Sequence, residues 1–291
     1  MQTWALANQK GGTGKTTTAI NLSAALASHG KRCLLVDLDP QAHATQGLGI
    51  AVEDGRSAAS IFLEGAEISD LVRSVPGGFH LVPGEARLAE FEEVAERTLG
   101  SERILAGALA RVVPRYDWVV LDCPPRADGV LTANAVRAAD VTCLVVETGA
   151  FSLQGALQAR RIFEGRAREL GRPARLRVLA TLFESREALD RECLIALQAR
   201  FDRMLLDTVI RRHALLRRAC AASVPARELA PESRAARDFD ALARELLEPP
   251  RALVPVCLAP ESSPRNEELN PWMPSHSSVT FMPTVPPPSS V

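Results

Sequence analysis

The chain has 291 residues, 46% of them hydrophobic, which suffices for one substantial α/β core or a core with a tail. With 34 basic and 35 acidic side chains, the formal net charge is −1. That excludes binding to nucleic acid through a global field, leaving only a local basic patch.

In chain order, residues 3–8 read as a short buried strand that runs into a glycine-rich loop. Residues 16–28 then carry Ile20, Leu22, Ala25 and Leu26 at helical spacing, and Gly30 follows as a stop. An apolar strand is expected over 32–37, ending in Asp37-Leu38-Asp39-Pro40-Gln41, and small, flexible residues fill 43–57. Short helical patterns cover 58–71, a brief strand covers 79–83, and amphipathic helices are expected over 85–98 and 102–113. Residues 118–122 form a third strongly apolar strand, closed by Cys123-Pro124-Pro125. Further buried strands are expected over 141–146, 176–182 and 205–210, with helices over 152–170 and 186–200 between them. Such alternation predicts an α/β fold, a mostly parallel twisted sheet with helices on both faces. The pattern ends near 248. Residues 249–291, Pro- and Ser-rich with Pro286-Pro287-Pro288, read as a disordered tail.

No apolar stretch is long and charge-free enough to cross a membrane, and no signal peptide precedes the first expected strand. The six cysteines form no C-x-x-C pair, so reduced, buried thiols of a cytoplasmic protein are expected rather than disulfides or zinc.

The loop Lys10-Gly11-Gly12-Thr13-Gly14-Lys15-Thr16, followed by Thr17, fits the end of a phosphate-binding P-loop. Glycines let backbone N–H groups cradle phosphate, Lys15 reaches the outer phosphates, and the Thr16 hydroxyl ligates Mg²⁺. Strand, loop and helix in that order also bring the helix dipole to an anion. The first glycine of the ordinary motif is replaced by Gln9, and a second lysine, Lys10, stands next to it. Asp122, at the end of an apolar strand, is where such proteins keep the carboxylate that holds Mg²⁺ through water. Asp37 and Asp39 stand two apart at the strand's end and need not face the same way, so one can face the metal's water shell while the other reaches an attacking water. In open α/β sheets ligands bind at the carboxyl ends of strands, where all of these residues fall.

Taken together, residues 10–16, 34–41 and 119–125 resemble the ParA/MinD family of deviant Walker A ATPases, most of all its ParA-type (Soj-like) partition members. The similarity runs from about residue 3 to 247. It implies a P-loop NTPase fold over 1–248, with ATP and Mg²⁺ as cofactors. It also implies a homodimer in which Lys10 crosses to the phosphates of the other subunit. By the same resemblance Lys15 grips phosphate, Thr16 and Asp122 hold Mg²⁺, Asp37 supports the metal shell, and Asp39 orients the hydrolytic water. Non-specific DNA binding, nucleoid association and a ParB-like stimulating partner are implied as well. Arg211, Arg212, Arg217 and Arg218 are the candidate DNA contacts.

Two stretches depart from the family pattern. Where the family continues Gly-Asn-Ala-Thr, this chain has Ala42-His43-Ala44-Thr45. Where it often has Ile-Pro-Arg-Asn, this chain has Ile210-Arg211-Arg212-His213, so adenine contacts are not carried over. The alternatives are an orphan ParA that positions a protein cargo and a MinD-like membrane-associated ATPase. The latter needs a C-terminal amphipathic basic helix, which the proline-rich end does not supply. Among metabolic relatives, an amide-forming enzyme needs a second catalytic domain and an iron–sulfur reductase needs suitably placed cysteines.

Overall fold

Seven strands make one sheet: β1 (Gln2–Ala7), β2 (Cys33–Asp37), β3 (Arg73–Ser74), β4 (His80–Val82), β5 (Trp118–Asp122), β6 (Val141–Glu147) and β7 (Leu176–Thr181). The computed structural model describes residues 1–52, 55–95, 97–171 and 174–248; the expected disordered tail, 249–291, lies outside them. The sheet order is β3-β4-β2-β5-β1-β6-β7, parallel throughout except for β3 against β4. Burial explains the long apolar runs. Along β1, Trp4 and Leu6 belong to one core cluster, whereas Ala5 and Ala7 belong to another, so the strand is covered on both faces.

One face is covered by α1 (Lys15–Ser28), with α2 (His43–Gly47) beside it. Residues of α10 (Ala214–Ala221), α11 (Ala226–Leu229) and α12 (Arg234–Leu247) complete that layer. Helix α1 packs on α12, whose first turn is capped by the Ser233 hydroxyl accepting from the Ala236 amide. The opposite face carries α3 (Ala58–Leu63), α4 (Ile68–Leu71), α5 (Leu88–Ala95), α6 (Ile104–Ala110), α7 (Val130–Ala138), α8 (Ser152–Glu169) and α9 (Ala188–Phe201). The expected α/β architecture is the one observed. Helices α2, α7, α10, α11 and α12 lie outside the expected elements.

One expected strand does not form. Residues 205–210 run beside β7 but, among the described residues, make with that strand an isolated bridge at Leu205 and two backbone hydrogen bonds, Leu206 N to Val178 O (2.8 Å) and Ile210 N to Ala180 O (2.9 Å). Between these, the amides of Asp207 and Thr208 turn away and each donates to the Glu245 carboxylate of α12 at 2.8 Å. A side chain on the third helix after this segment captures the Thr208 donor that a ladder would need.

Candidate active site

The loop between β1 and α1 is pinned at its start by Asn8. Its buried side-chain amide donates to Val145 O of β6 at 2.7 Å, and its Oδ1 accepts from the Lys10 amide at 3.1 Å. Gly12 and Gly14 sit in the left-handed region, at φ of +77° and +86°. A side chain at Gly14 would meet nothing closer than 3.8 Å, so backbone conformation rather than space demands glycine there. From β7, the Thr181 hydroxyl donates to Thr13 O at 2.7 Å and fixes the far side of the loop. Buried Lys15 donates to Lys10 O at 3.2 Å. Burial lowers its pKa, and the carboxylate of Asp122 opposes that most strongly.

Asp37 and Asp122 are register partners on neighbouring parallel strands, both fully buried. Neither oxygen of Asp122 has a well-directed hydrogen bond among the described residues. Burial holds its pKa well above the carboxylate range and Asp37 adds to that, while the nearby Thr16 hydroxyl and Lys15 pull it down. An orphaned buried carboxylate beside a threonine hydroxyl is an oxygen-donor set that suits a hard divalent cation. Among the described residues no three His, Cys, Asp or Glu side chains form a self-sufficient metal cage. Mg²⁺ shared with nucleotide phosphates does not need one.

Asp37 is differently occupied. Its Oδ1 accepts from the Asp39 amide at 3.2 Å, and its Oδ2 accepts from the Thr45 amide at 2.9 Å and the Thr45 hydroxyl at 2.7 Å. The Thr45 hydroxyl accepts in turn from the Gly84 amide at 2.8 Å. A Cβ on Gly84 would lie 2.8 Å from the Asp37 carboxyl carbon, so the strand end leaves no room for one. Burial pushes Asp37 up to about 6 against these hydrogen bonds. Its carboxylate ties down the turn after β2. Asp39, two residues further on, lies beyond the end of β2 and has different partners. Its Oδ1 accepts from the Gln41 amide at 2.9 Å and its Oδ2 has no hydrogen bond among the described residues. It lines a cleft of about 550 Å³ together with Gly11, Gly12, Gly14, Lys15, Thr16 and Thr17.

Lys10 faces outward, with its side chain 57% exposed, and its Nζ lies 2.8 Å from Glu147 Oε2 at the end of β6. The guanidinium of Arg212 stands 3.8 Å from the other oxygen of Glu147. The four candidate arginines have different surroundings. Arg211 is tied through its guanidinium and its amide to buried Asp238, which also accepts from His213 at 2.9 Å. That removes Arg211 from the free cations, because its charge is committed to holding 211–213 onto α12. Arg217 and Arg218 are exposed on α10 and have no ion pair among the described residues. Leu216, Ala219 and Cys220 of the same helix line the cleft.

Sequence reasoning did not single out Thr45, Gly84, Thr181 or Glu147 as site residues. Thr45 carried the one available signal, as the position that keeps the family residue inside a divergent turn. The other three reach the site only through strand register and loop return.

An AAA-domain family model matches residues 1–168. The chromosome-partitioning ATPase Soj of Thermus thermophilus is 39% identical over 249 residues, 84% of this chain and 94% of that protein. The sporulation initiation inhibitor protein Soj of Bacillus subtilis is 34% identical, over 83% of this chain and 96% of that protein. Among solved structures, cobyrinic acid a,c-diamide synthase of Mycobacterium smegmatis with ATP analogue and magnesium superposes with a TM-score of 0.73 at 31% identity. That match covers 85% of this chain and 94% of that one.

Proposed function

Since the chain belongs to the ParA/MinD family of deviant Walker A ATPases, with the ParA-type (Soj-like) members, we propose that it is a nucleotide-switched partition ATPase. It forms an ATP-dependent sandwich dimer, binds DNA without sequence preference in that state, and is released by hydrolysis that a ParB-like partner stimulates. The observation that carries the reading is the pairing of an orphaned buried Asp122, beside Thr16, with an outward-facing Lys10 on the same loop. One part fits the cation that accompanies a nucleotide, and the other presents an exposed cation, paired here with Glu147, to a second subunit.

ATP and Mg²⁺ are its cofactors, a reading supported by the ligands of the Mycobacterium smegmatis structure. Bound together they supply a transferable phosphoryl group with part of its charge neutralised. Lys15 and the first amides of α1 hold the phosphates. Thr16 and Asp122 hold the metal. Asp39, fixed by the Gln41 amide, presents its Oδ2 to orient the attacking water. Lys10 of the other subunit stabilises charge on the transferring group, as an arginine finger does. Arg217 and Arg218 supply DNA contacts, whereas Arg211 and Arg212, held at Asp238 and Glu147, do not.

Gel retardation on arbitrary DNA at low salt tests the reading. A shift that requires ATP and fades steeply with added salt is expected; no ATP-dependent shift would sink it. A ParB-type gene next door would favour genome partition over a protein cargo. The resemblance to the Mycobacterium smegmatis synthase favours a second reading, an ATP-dependent amide-forming enzyme. Turnover of ATP that requires a carboxylic acid and an ammonia source would establish that one instead.

A further inference from the structure

We propose that Glu147 is the positioning residue that sets how readily Lys10 is released to a second subunit, with Arg212 as the counter-charge that replaces Lys10 when it leaves. The inference rests on the dimer reading above and adds its regulation.

The two partners differ in how firmly they are held. Glu147 is the last residue of β6, register-paired with Thr181 of β7, and the next amide, Thr148 N, donates to Thr181 O at 2.9 Å. Its carboxylate therefore stands on the rigid edge of the sheet. Lys10 sits on the loop with its backbone fixed by Asn8, while its side chain is more than half exposed. The contact at 2.8 Å is charge-assisted, and it turns the ammonium toward the chain's own β6. Lys15 already serves the interior of the loop, so Lys10 is not needed there.

A lysine in this contact has to leave Glu147 before it can reach phosphates in another molecule. Leaving alone would strand a carboxylate that is only 24% exposed. Arg212 lies 3.8 Å from Glu147 Oε1, outside hydrogen-bond reach but inside ion-pair range. A small rotamer change brings it to the carboxylate. Glu147 thus opposes release of Lys10, and Arg212 lowers that opposition. Because the Lys10 end of the pair is more than half exposed, the expected effect is modest.

Sedimentation equilibrium of the full chain with Mg²⁺ and a non-hydrolysable ATP analogue tests this. Glu147→Gln should tighten the dimer about two- to fivefold at low salt, and the gain should vanish near 1 M salt. Arg212→Ala should weaken the wild-type dimer, yet change nothing in the Glu147→Gln background, because it acts through Glu147. A merely structural role for Glu147 would give neither the salt dependence nor the loss of the Arg212 effect. Glu147→Ala, checked for an unchanged melting curve, guards against a local packing defect in the glutamine variant. A wild-type chain that dimerises while Glu147→Gln is unchanged or weaker overturns the inference and leaves the dimer reading standing. A wild-type chain that stays monomeric with nucleotide overturns both.

Discussion

Asp37 and Asp122 stand side by side on β2 and β5, and only Asp37 has its hydrogen bonds met. Register places them together, but their surroundings give them opposite work. Thr45 and the Asp39 amide consume Asp37, while Asp122 is left for a ligand from outside the chain.

Substitution to asparagine should separate the two. Asp122→Asn removes a buried carboxylate with no hydrogen-bond partner, and relief of its burial is offset by the loss of its attraction for Lys15, so the nucleotide-free fold should change by less than about 1 kcal/mol while Mg²⁺-dependent phosphate release is lost. Asp37→Asn replaces an acceptor that serves both Thr45 groups, and should cost about 1–3 kcal/mol. Urea unfolding beside a phosphate-release assay reads both. Asp122→Asn destabilised as much as Asp37→Asn would contradict the assignment of its carboxylate as orphaned.

The loop residues should fail in three distinct ways. Lys15→Ala should abolish ATP binding in calorimetry. Lys10→Ala should keep measurable binding and lose the dimer; a stable ATP dimer in that variant would refute its role in trans. Asp39→Ala should bind ATP and DNA with turnover reduced on the order of 10²-fold or more.

Ala42 offers a test of backbone strain. It precedes α2 with φ of +51°, where the Soj-like pattern has glycine. A non-glycine residue in the left-handed region costs roughly 1–2 kcal/mol, partly offset by the greater freedom of glycine in the unfolded chain. Ala42→Gly should therefore raise stability by about 0.5–1 kcal/mol without moving ATP affinity. A lower melting temperature would show that the turn is unstrained.

Asp238 supplies the pH dependence. Burial raises its pKa, but the hydrogen bonds from Arg211 and His213 outweigh burial and hold it below its ordinary 3.8. A depressed carboxylate stabilises the fold above the unfolded-state pKa, and that contribution is lost as pH falls below about 3.8 through the folded-state value. Asp238→Asn should cost about 1–3 kcal/mol at neutral pH, and its melting curve should approach that of the wild type only as pH falls from about 3.8 through the lower folded-state value. DNA retardation by this variant also bears on Arg211, since freeing that guanidinium should leave DNA affinity equal or higher.

The hydrophobic periodicity and the motifs determined most of what this protein is. Apolar runs such as 118–122 can only be buried strands, and two lysines around paired glycines have few uses. Local sequence encodes such features because a strand, a helix or a glycine turn depends on neighbours within a few residues. What long-range contact decides was not legible. Residues 205–210 carry strand character but lose it to Glu245. Arg211 reads as a surface cation until α12 delivers Asp238. Asp37 and Asp39 look equivalent until Thr45 folds back onto one of them. Lys10 is the clearest case. Its presence in the loop is written in the sequence, but its hold on Glu147 depends on β6 lying beside β1, a register that only the assembled sheet sets.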